Sequence, residues 1–410
     1  MPESFHTNAP GRLMPNPERS SGERPPRIAV VTPLFPTREQ PSVGQPIYYT
    51  VLGLKQWAEV RVFAPLPRYP DWLRPTRFLY VRKDLTYRPP GVETEYFEYP
   101  VLPRIGRLFN GYICARRLTP RLRSWKPDLI LAYWLYPEGF AAVLAGRRLG
   151  VPVVVGSRGS DLRRIEDRAT AWFTRRTLHE ASGVITVSEE LRQKALQMGA
   201  PGDRVKTILN GCDGAIFKPS DRAAARAELG ISPEARLVLY VGRLHTGKGL
   251  EELLGAAERM RNVKGLLFVF LGEGLLGDAL RKRAEAAGLG DRVRFPGNRS
   301  RHEVAQWMAA CNVFCLPSHS EGCPNVVCEA LACGRPVVST MVGGIPDLVN
   351  ERCGTLVPVA DTERLAQALR DALDAPWNSQ TIAQQFTRNW DDVAADTFDI
   401  CNRILSLTRG

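Results

Sequence analysis

The residues with the strongest chemical suggestion lie in the run Pro317-Ser-His-Ser-Glu321-Gly-Cys-Pro-Asn-Val-Val-Cys-Glu329-Ala-Leu-Ala-Cys-Gly-Arg-Pro336. The apolar segment Val-Phe-Cys-Leu-Pro leads into a loop, Pro324 marks the first turn of a helix, and Gly334 and Pro336 end it. Backbone N–H groups from about Asn325 through Val326 to Val327 then point away from the helix without intrahelical partners, which suits an anion. Glu321 precedes the helix and Glu329 lies inside it, so the two carboxylates contact different parts of one extended ligand. They do not form an acid/base pair flanking a single bond. A second cluster, Gly242-Arg243-Leu-His-Thr-Gly-Lys248, follows the strand-like Leu-Val-Leu-Tyr-Val. It nearly matches a P-loop, but residue 249 is Gly where Ser or Thr would hold magnesium. What remains is a glycine-rich turn with Arg243 and Lys248 as a cradle for phosphate.

A third motif, Gly272-Glu-Gly274-Leu-Leu-Gly277, fits the dinucleotide-binding G-x-G-x-x-G, with Asp291 at the spacing of a ribose-binding acid. A nicotinamide-dependent oxidoreductase is therefore a second functional class. The motif opens the middle of the second half instead of its first strand–helix turn, which counts against that class. Cys311, Cys315, Cys323, Cys328 and Cys333 lie close together but lack the paired C-x2-C spacing of a zinc site, and no metal is expected.

These clusters need a frame. From Arg27 onward, short β-rich runs alternate with helical stretches, which predicts parallel sheets built from βα units. Strands are read at 28–32, 60–64, 129–133, 151–156 and 183–187. After a break a second series is read at 205–208, 237–241, 266–271, 293–295, 313–316, 336–340 and 354–357. Residues 378–407 read as one helix. The 410 residues thus predict two doubly wound halves, with ligands at the carboxyl ends of their strands.

Arg243 to Lys248, Gly272–Gly274, the Glu321-x7-Glu329 segment and Val342-Gly-Gly-Ile-Pro-Asp347 together resemble the donor-binding half of family 4 retaining glycosyltransferases (glycosyl transferases group 1). Val187-Ser-Glu-Glu-Leu191 and Leu209-Asn-Gly-Cys-Asp213 are similar to the same family. The resemblance implies an α/β GT-B fold: two Rossmann-like doubly wound domains, the first for the acceptor, the second for a nucleoside-diphosphate-sugar, and a C-terminal helix returning to the first. Segments of 1–26 (disordered leader), 27–212, 213–377 and 378–410 are expected. It also implies that Arg243 and Lys248 bind the diphosphate and that Glu321 holds sugar hydroxyls. Glu329 would hold the ribose, the backbone at Asn325 and Val326 would meet the diphosphate, and Asn298 and Arg299 would meet the base. Gly272 belongs to the same donor side. Two cations and a helix N-terminus take the place of a metal, so no cofactor is expected.

The first half departs from the family pattern. Pro41-Ser-Val-Gly44 supplies one glycine where a pair is frequent, and Gly44 is read either as a close approach to the donor or as an ordinary loop glycine. Gly156-Ser-Arg158-Gly-Ser-Asp161 stands in place of His-Gly-x-Asp. An always-charged guanidinium cannot act as a base, so Arg158 suits a phosphate or an acidic sugar, with Asp161 orienting it or capping the next helix. Glu138, in the loop after the strand at 129–133, is a candidate for the acceptor hydroxyl or for a cap. Ser188 is read as a helix cap, and His319 as a neighbour of the sugar site or a support for it.

Charge locates a further partner. Lys plus Arg exceed Asp plus Glu by 12, 55 against 43, and the excess lies in residues 1–200, with 30 basic and 18 acidic side chains; residues 201–410 hold 25 of each. It concentrates between 103 and 126, at Arg104, Arg107, Arg116, Arg117, Arg121 and Arg123, with Ile105, Leu108, Phe109, Tyr112, Ile113 and Leu118 interleaved. That mixture suits an amphipathic helix against anionic lipid or lipid phosphate, or else a helix packed on the sheet with a solvated basic face. A non-catalytic membrane-surface protein is the third class. Nucleic acid is not expected, since no stacking or groove-reading module is evident. With 44% hydrophobic and 24% charged residues, nine cysteines outside any extracellular framework and no spanning segment, the expectation is a cytoplasmic enzyme, peripheral at the inner membrane face. Its acceptor would be a glycan or lipid-linked glycan in bacterial surface-polysaccharide synthesis.

Overall fold

The computed structural model describes residues 24–70, 83–101, 107–165 and 167–409. They form two compact units, one made of the chain up to Leu209 plus Trp390 onward, the other of Asn210–Asn389. The expected leader falls outside the described residues except at its end. There Arg24 is held by Asp128 at 2.8 Å, so residues 24–26 are tied to the first unit and are not part of a free tail.

The first unit carries a seven-stranded parallel sheet: β1 (Arg27–Val31), β2 (Glu59–Arg68), β3 (Glu93–Pro100), β4 (Leu129–Tyr133), β5 (Val153–Ser157), β6 (Gly183–Thr186) and β7 (Val205–Thr207). Their order is β3-β2-β1-β4-β5-β6-β7. Every residue of β4, β5 and β6 is buried, as expected of strands covered by helices on both faces and rich in Val, Ile and Leu. Two expectations fail here. The strand at 205–208 belongs to this sheet, pairing with β6, and not to the second series. β3 was not foreseen, because Glu93, Glu95 and Glu98 break the apolar signal; it is an edge strand whose carboxylates meet Arg61, Arg121 and Arg68.

The second unit carries six parallel strands, β8 (Arg236–Val241), β9 (Leu266–Leu271), β10 (Val293–Gly297), β11 (Val313–Leu316), β12 (Val337–Thr340) and β13 (Gly354–Val357). Their order is β10-β9-β8-β11-β12-β13. Chain order reverses between β8 and β11 here, and between β1 and β4 in the first sheet. Those reversals open crevices at the strands' carboxyl ends.

The helix expected over 378–407 is two helices, Ser379–Gln385 and Trp390–Arg409. The first packs against helix Asn325–Ala332, and the break is fixed by the Cys212–Asn389 bridge and by Cys212 N–H donating to Arg388 O at 3.0 Å. The second returns to the first unit against helix Gln45–Leu54. Trp390 stacks on Tyr49 and Phe398 on Trp57, each at 5.6 Å, and Ala394 lies where a Cβ on Gly53 would be 2.5 Å away. No helix among the described residues is long and apolar enough to cross a membrane.

Candidate active site

In the second unit the loops after β8 and β11, on either side of the strand-order reversal, are pressed together. Gly249 has φ +66°, and a Cβ there would lie 1.9 Å from Pro317 O; His319 N–H donates to Gly247 O at 2.9 Å. A Ser or Thr in the P-loop position has no room, which explains that departure in steric terms. The contact brings Lys248 Nζ to 2.5 Å from Glu321 Oε1, with side chains only 20% and 11% exposed. Tyr240, at the end of β8, donates its hydroxyl to Arg243 O at 3.0 Å; burial and the Glu321 charge raise its pKa while Arg243 opposes them. Arg243 itself is exposed, so one cation faces solvent beside a shielded ion pair.

The helix Asn325–Ala332 starts beside this pair with no side-chain cap. Val327 N–H already donates to Pro324 O at 3.1 Å, so the expected three-donor nest reduces to two. Among the described residues no acceptor faces the N–H groups of Asn325 and Val326. Asn210 fixes this turn, its Nδ2 donating to Cys323 O at 2.8 Å and to Asn325 Oδ1 at 2.7 Å. Glu329 lies one turn into the helix, near Asp213 and Arg301, which bridge at 3.2 Å. Burial pushes its carboxyl up to about 7, with Arg301 opposing. The two carboxylates therefore have separate surroundings, as their spacing predicts.

Gly272 and Gly274 have a packing reason for being glycine. A Cβ on the first would lie 2.1 Å from Gly242 O, and on the second 2.2 Å from Leu244 O. Leu244 N–H donates to Glu273 O at 2.9 Å, locking the loop that carries Arg243. Asn298 and Arg299 follow the edge strand β10, separated from β11 by β9 and β8, where Asn298 Nδ2 donates to Glu273 Oε2 at 3.0 Å and Arg299 pairs with Glu303 at 3.6 Å. The structure places them at the same carboxyl end of the parallel strands without bringing them to the ion pair. His319 turns away, to Glu252 at 2.8 Å.

The first unit corrects several expectations. Gly44 starts helix Gln45–Leu54 with φ +71°, and a Cβ would sit 2.2 Å from Leu34 O, so its lack of a side chain serves the chain's own loop. Glu138 is 2% exposed and accepts from Tyr99 Oη at 2.9 Å, with burial raising its carboxyl to about 7. The carboxyl is thus enclosed within the fold and held by Tyr99, and is not a solvent-exposed helix cap. Asp161, 8% exposed, accepts from Ser157 Oγ at 2.9 Å, Gly159 N at 3.1 Å and Leu135 N at 3.3 Å, so it ties the loop after β5 to the one after β4. Arg158 sits half-buried at the end of β5. Ser188 is the cap it was read to be, accepting from Leu191 N at 3.3 Å.

Two family models match the chain, one for glycosyl transferases group 1 over residues 221–390 and one for a glycosyl transferase 4-like domain over residues 47–211. A D-inositol 3-phosphate glycosyltransferase 1 of Catenulispora acidiphila is 30% identical across 87% of this chain and 89% of its own length. The chain belongs to the group 1 glycosyltransferases. A teichuronic acid biosynthesis glycosyltransferase described as putative, from Bacillus subtilis, is 28% identical across 84% of this chain and 88% of its own. Two solved structures share the GT-B fold. They are the sucrose-phosphate synthase of Thermosynechococcus elongatus (TM-score 0.73, 22% identity, 93% of this chain and all of that one) and Anabaena HepE in complex with UDP (TM-score 0.68, 20% identity, 93% and 98%).

Within this glycosyltransferase the basic segment divides. Arg104 lies outside the described residues, as does the side chain of Arg107. Arg121 is committed to the fold, pairing with Glu95 at 2.7 Å and lying over the Phe97 ring at 4.2 Å, which removes it from the membrane-facing set. Arg116, Arg117 and Arg123 are exposed. Leu118 is fully buried, so the solvated face is not the one its apolar pattern suggested. Asn210 and Tyr240 were missed as site residues, the first because Asn-Gly reads as a turn and the second because its strand reads as core.

Proposed function

We propose that this glycosyltransferase moves a sugar from a nucleoside-diphosphate-sugar to a hydroxyl acceptor with retention of anomeric configuration and without a metal. The Lys248–Glu321 pair, clamped between the two loops at the strand-order reversal and beside an uncapped helix start, carries the reading. The leaving nucleoside diphosphate develops negative charge, which Lys248, exposed Arg243 and the N–H groups of Asn325 and Val326 would stabilise. Glu321 holds sugar hydroxyls and Glu329 the ribose, while Asn298, Arg299 and the Gly272 loop lie on the base side. The C1–O bond to the diphosphate breaks, the acceptor oxygen bonds to C1, and the acceptor proton passes to the leaving phosphate. Solved relatives in complex with UDP, UDP-glucose or ADP support such a donor.

On the acceptor side Arg158 would meet a phosphate or acidic sugar, a reading supported by relatives named for inositol 3-phosphate and teichuronic acid. A lipid-linked glycan of cell-surface polysaccharide synthesis, reached from the cytoplasmic face of the membrane, fits that chemistry. Titration with UDP-, GDP- and ADP-sugars is the test. Saturable binding and donor turnover are expected, whereas binding of NADH alone would return the chain to the oxidoreductase class.

A further inference from the structure

Eight large apolar side chains among the described residues are exposed, and four of them lie on two neighbouring helices of the first unit. Leu108 (46% exposed), Phe109 (56%) and Tyr112 (43%) come from the first turns of helix Arg107–Trp125, and Trp172 (50%) from helix Arg168–Glu180. Tyr112 and Trp172 both stand edge-on to the same buried ring, Phe173, with centroids at 6.0 and 4.9 Å. Phe173 in turn stacks on Tyr136 at 4.8 Å and meets Phe140 at 4.9 Å. The exposed side chains are thus one patch with a rigid aromatic floor.

The solvent stripe of helix Arg107–Trp125 changes character along its axis. Positions 108, 109 and 112 are apolar; 116, 117 and 123 are arginine, and the helix contains no acid. Tyr112 and Arg116 are one turn apart, about 6 Å along the axis. An apolar end of the stripe thus gives way to a cationic one within a single turn, the pairing of apolar anchors with neighbouring arginines that suits the surface of an anionic bilayer.

We propose that this patch inserts into the interfacial layer of an anionic bilayer, with Phe109, Tyr112 and Trp172 as the anchors and Arg116 and Arg117 at the phosphate level. The proposal rests on the peripheral-membrane reading above and changes its agent. The basic segment steers the protein to the surface, and the aromatic patch on two helices holds it there. Tyr and Trp suit that layer because one end of each ring is apolar and the other wet.

The test compares sedimentation of the full chain with phosphatidylglycerol–phosphatidylcholine vesicles and with phosphatidylcholine alone. The wild type is expected to bind the anionic vesicles. Phe109→Ala with Trp172→Ala should weaken that binding about tenfold or more. Sugar-nucleotide binding and donor turnover in the double variant should stay at wild-type levels, which also establishes that it is folded. Trp172→Phe alone should remove part of the tryptophan quenching caused by brominated lipid. Undiminished binding of the double variant overturns the aromatic anchor while leaving a purely cationic membrane contact. A wild type that ignores the vesicles overturns both, and donor titration then judges the transferase reading separately. A wild type that ignores vesicles but self-associates, and loses this in the double variant, makes the patch an interface between copies and overturns the bilayer assignment.

Discussion

Lys248 and Glu321 are held so closely that each side chain's charge is compensated before any ligand arrives, and a bound diphosphate would have to share Lys248 with Glu321. Lys248→Ala is expected to reduce donor turnover about 10²–10³-fold, the usual effect of removing one transition-state charge, with the fold retained by circular dichroism. Glu329 gives a pH signature. Its carboxyl titrates at about 7, so if the ionised form holds the ribose, donor KM should fall as pH rises through 7, and Glu329→Gln should abolish that dependence. Glu138 gives a stability signature. The fold keeps its proton up to about pH 7 while the unfolded chain releases it near 4.5, so stability must fall across that window, by on the order of 3 kcal/mol from this group. Glu329 adds a fall of the same sign. Glu138→Gln, which keeps an acceptor for Tyr99, should flatten part of the slope in urea denaturation measured between pH 5 and 8. The sequence separates Glu321 from Glu329 because helical spacing is readable. It does not show that Glu138 is enclosed, because Tyr99 comes from a different strand and no local pattern links them.

At the scale of elements, strands and turns were legible where composition is extreme. β4, β5, β8 and β9 are apolar runs that burial on both faces demands, and the glycine-rich turns between strand and helix stand out. β3 was hidden because an edge strand tolerates carboxylates on its open side. The packing reason for the second-unit glycines is hidden for a related reason, since a motif records which residue is small and not what approaches it. Gly272 admits the Gly242 carbonyl, so Gly272→Ala should lose roughly 2–4 kcal/mol in chemical denaturation. Leu275→Ala, three residues on and 97% exposed, should change stability by no more than about 0.5 kcal/mol. The basic helix shows the same limit: its charge is readable, yet Arg121 is taken up by Glu95 and Phe97 of β3, and the exposed apolar positions are completed by Trp172, sixty residues away in the chain.

At the scale of the molecule, the alternation of strand and helix announces two doubly wound units, and the strand-order reversals place the crevices. The expected boundary before residue 378 fails because apolar periodicity continues through Ser379–Gln385 into Trp390–Arg409 and hides the break. Val393, Ala394, Phe398, Cys401, Ile404 and Leu405 of the second helix are all buried in the core of the first unit. Ending the chain at Asn389 should therefore expose the Trp57 and Tyr49 rings and unfold the first unit, seen as protease sensitivity confined to residues before 210, because the lost burial rivals the roughly 5–15 kcal/mol that holds a domain together. The return of that helix also separates the order of synthesis from the order of completion. A nascent first unit waits, with one flank of its sheet uncovered, while the whole second unit is made, so premature termination anywhere downstream damages the half of the protein that was translated first.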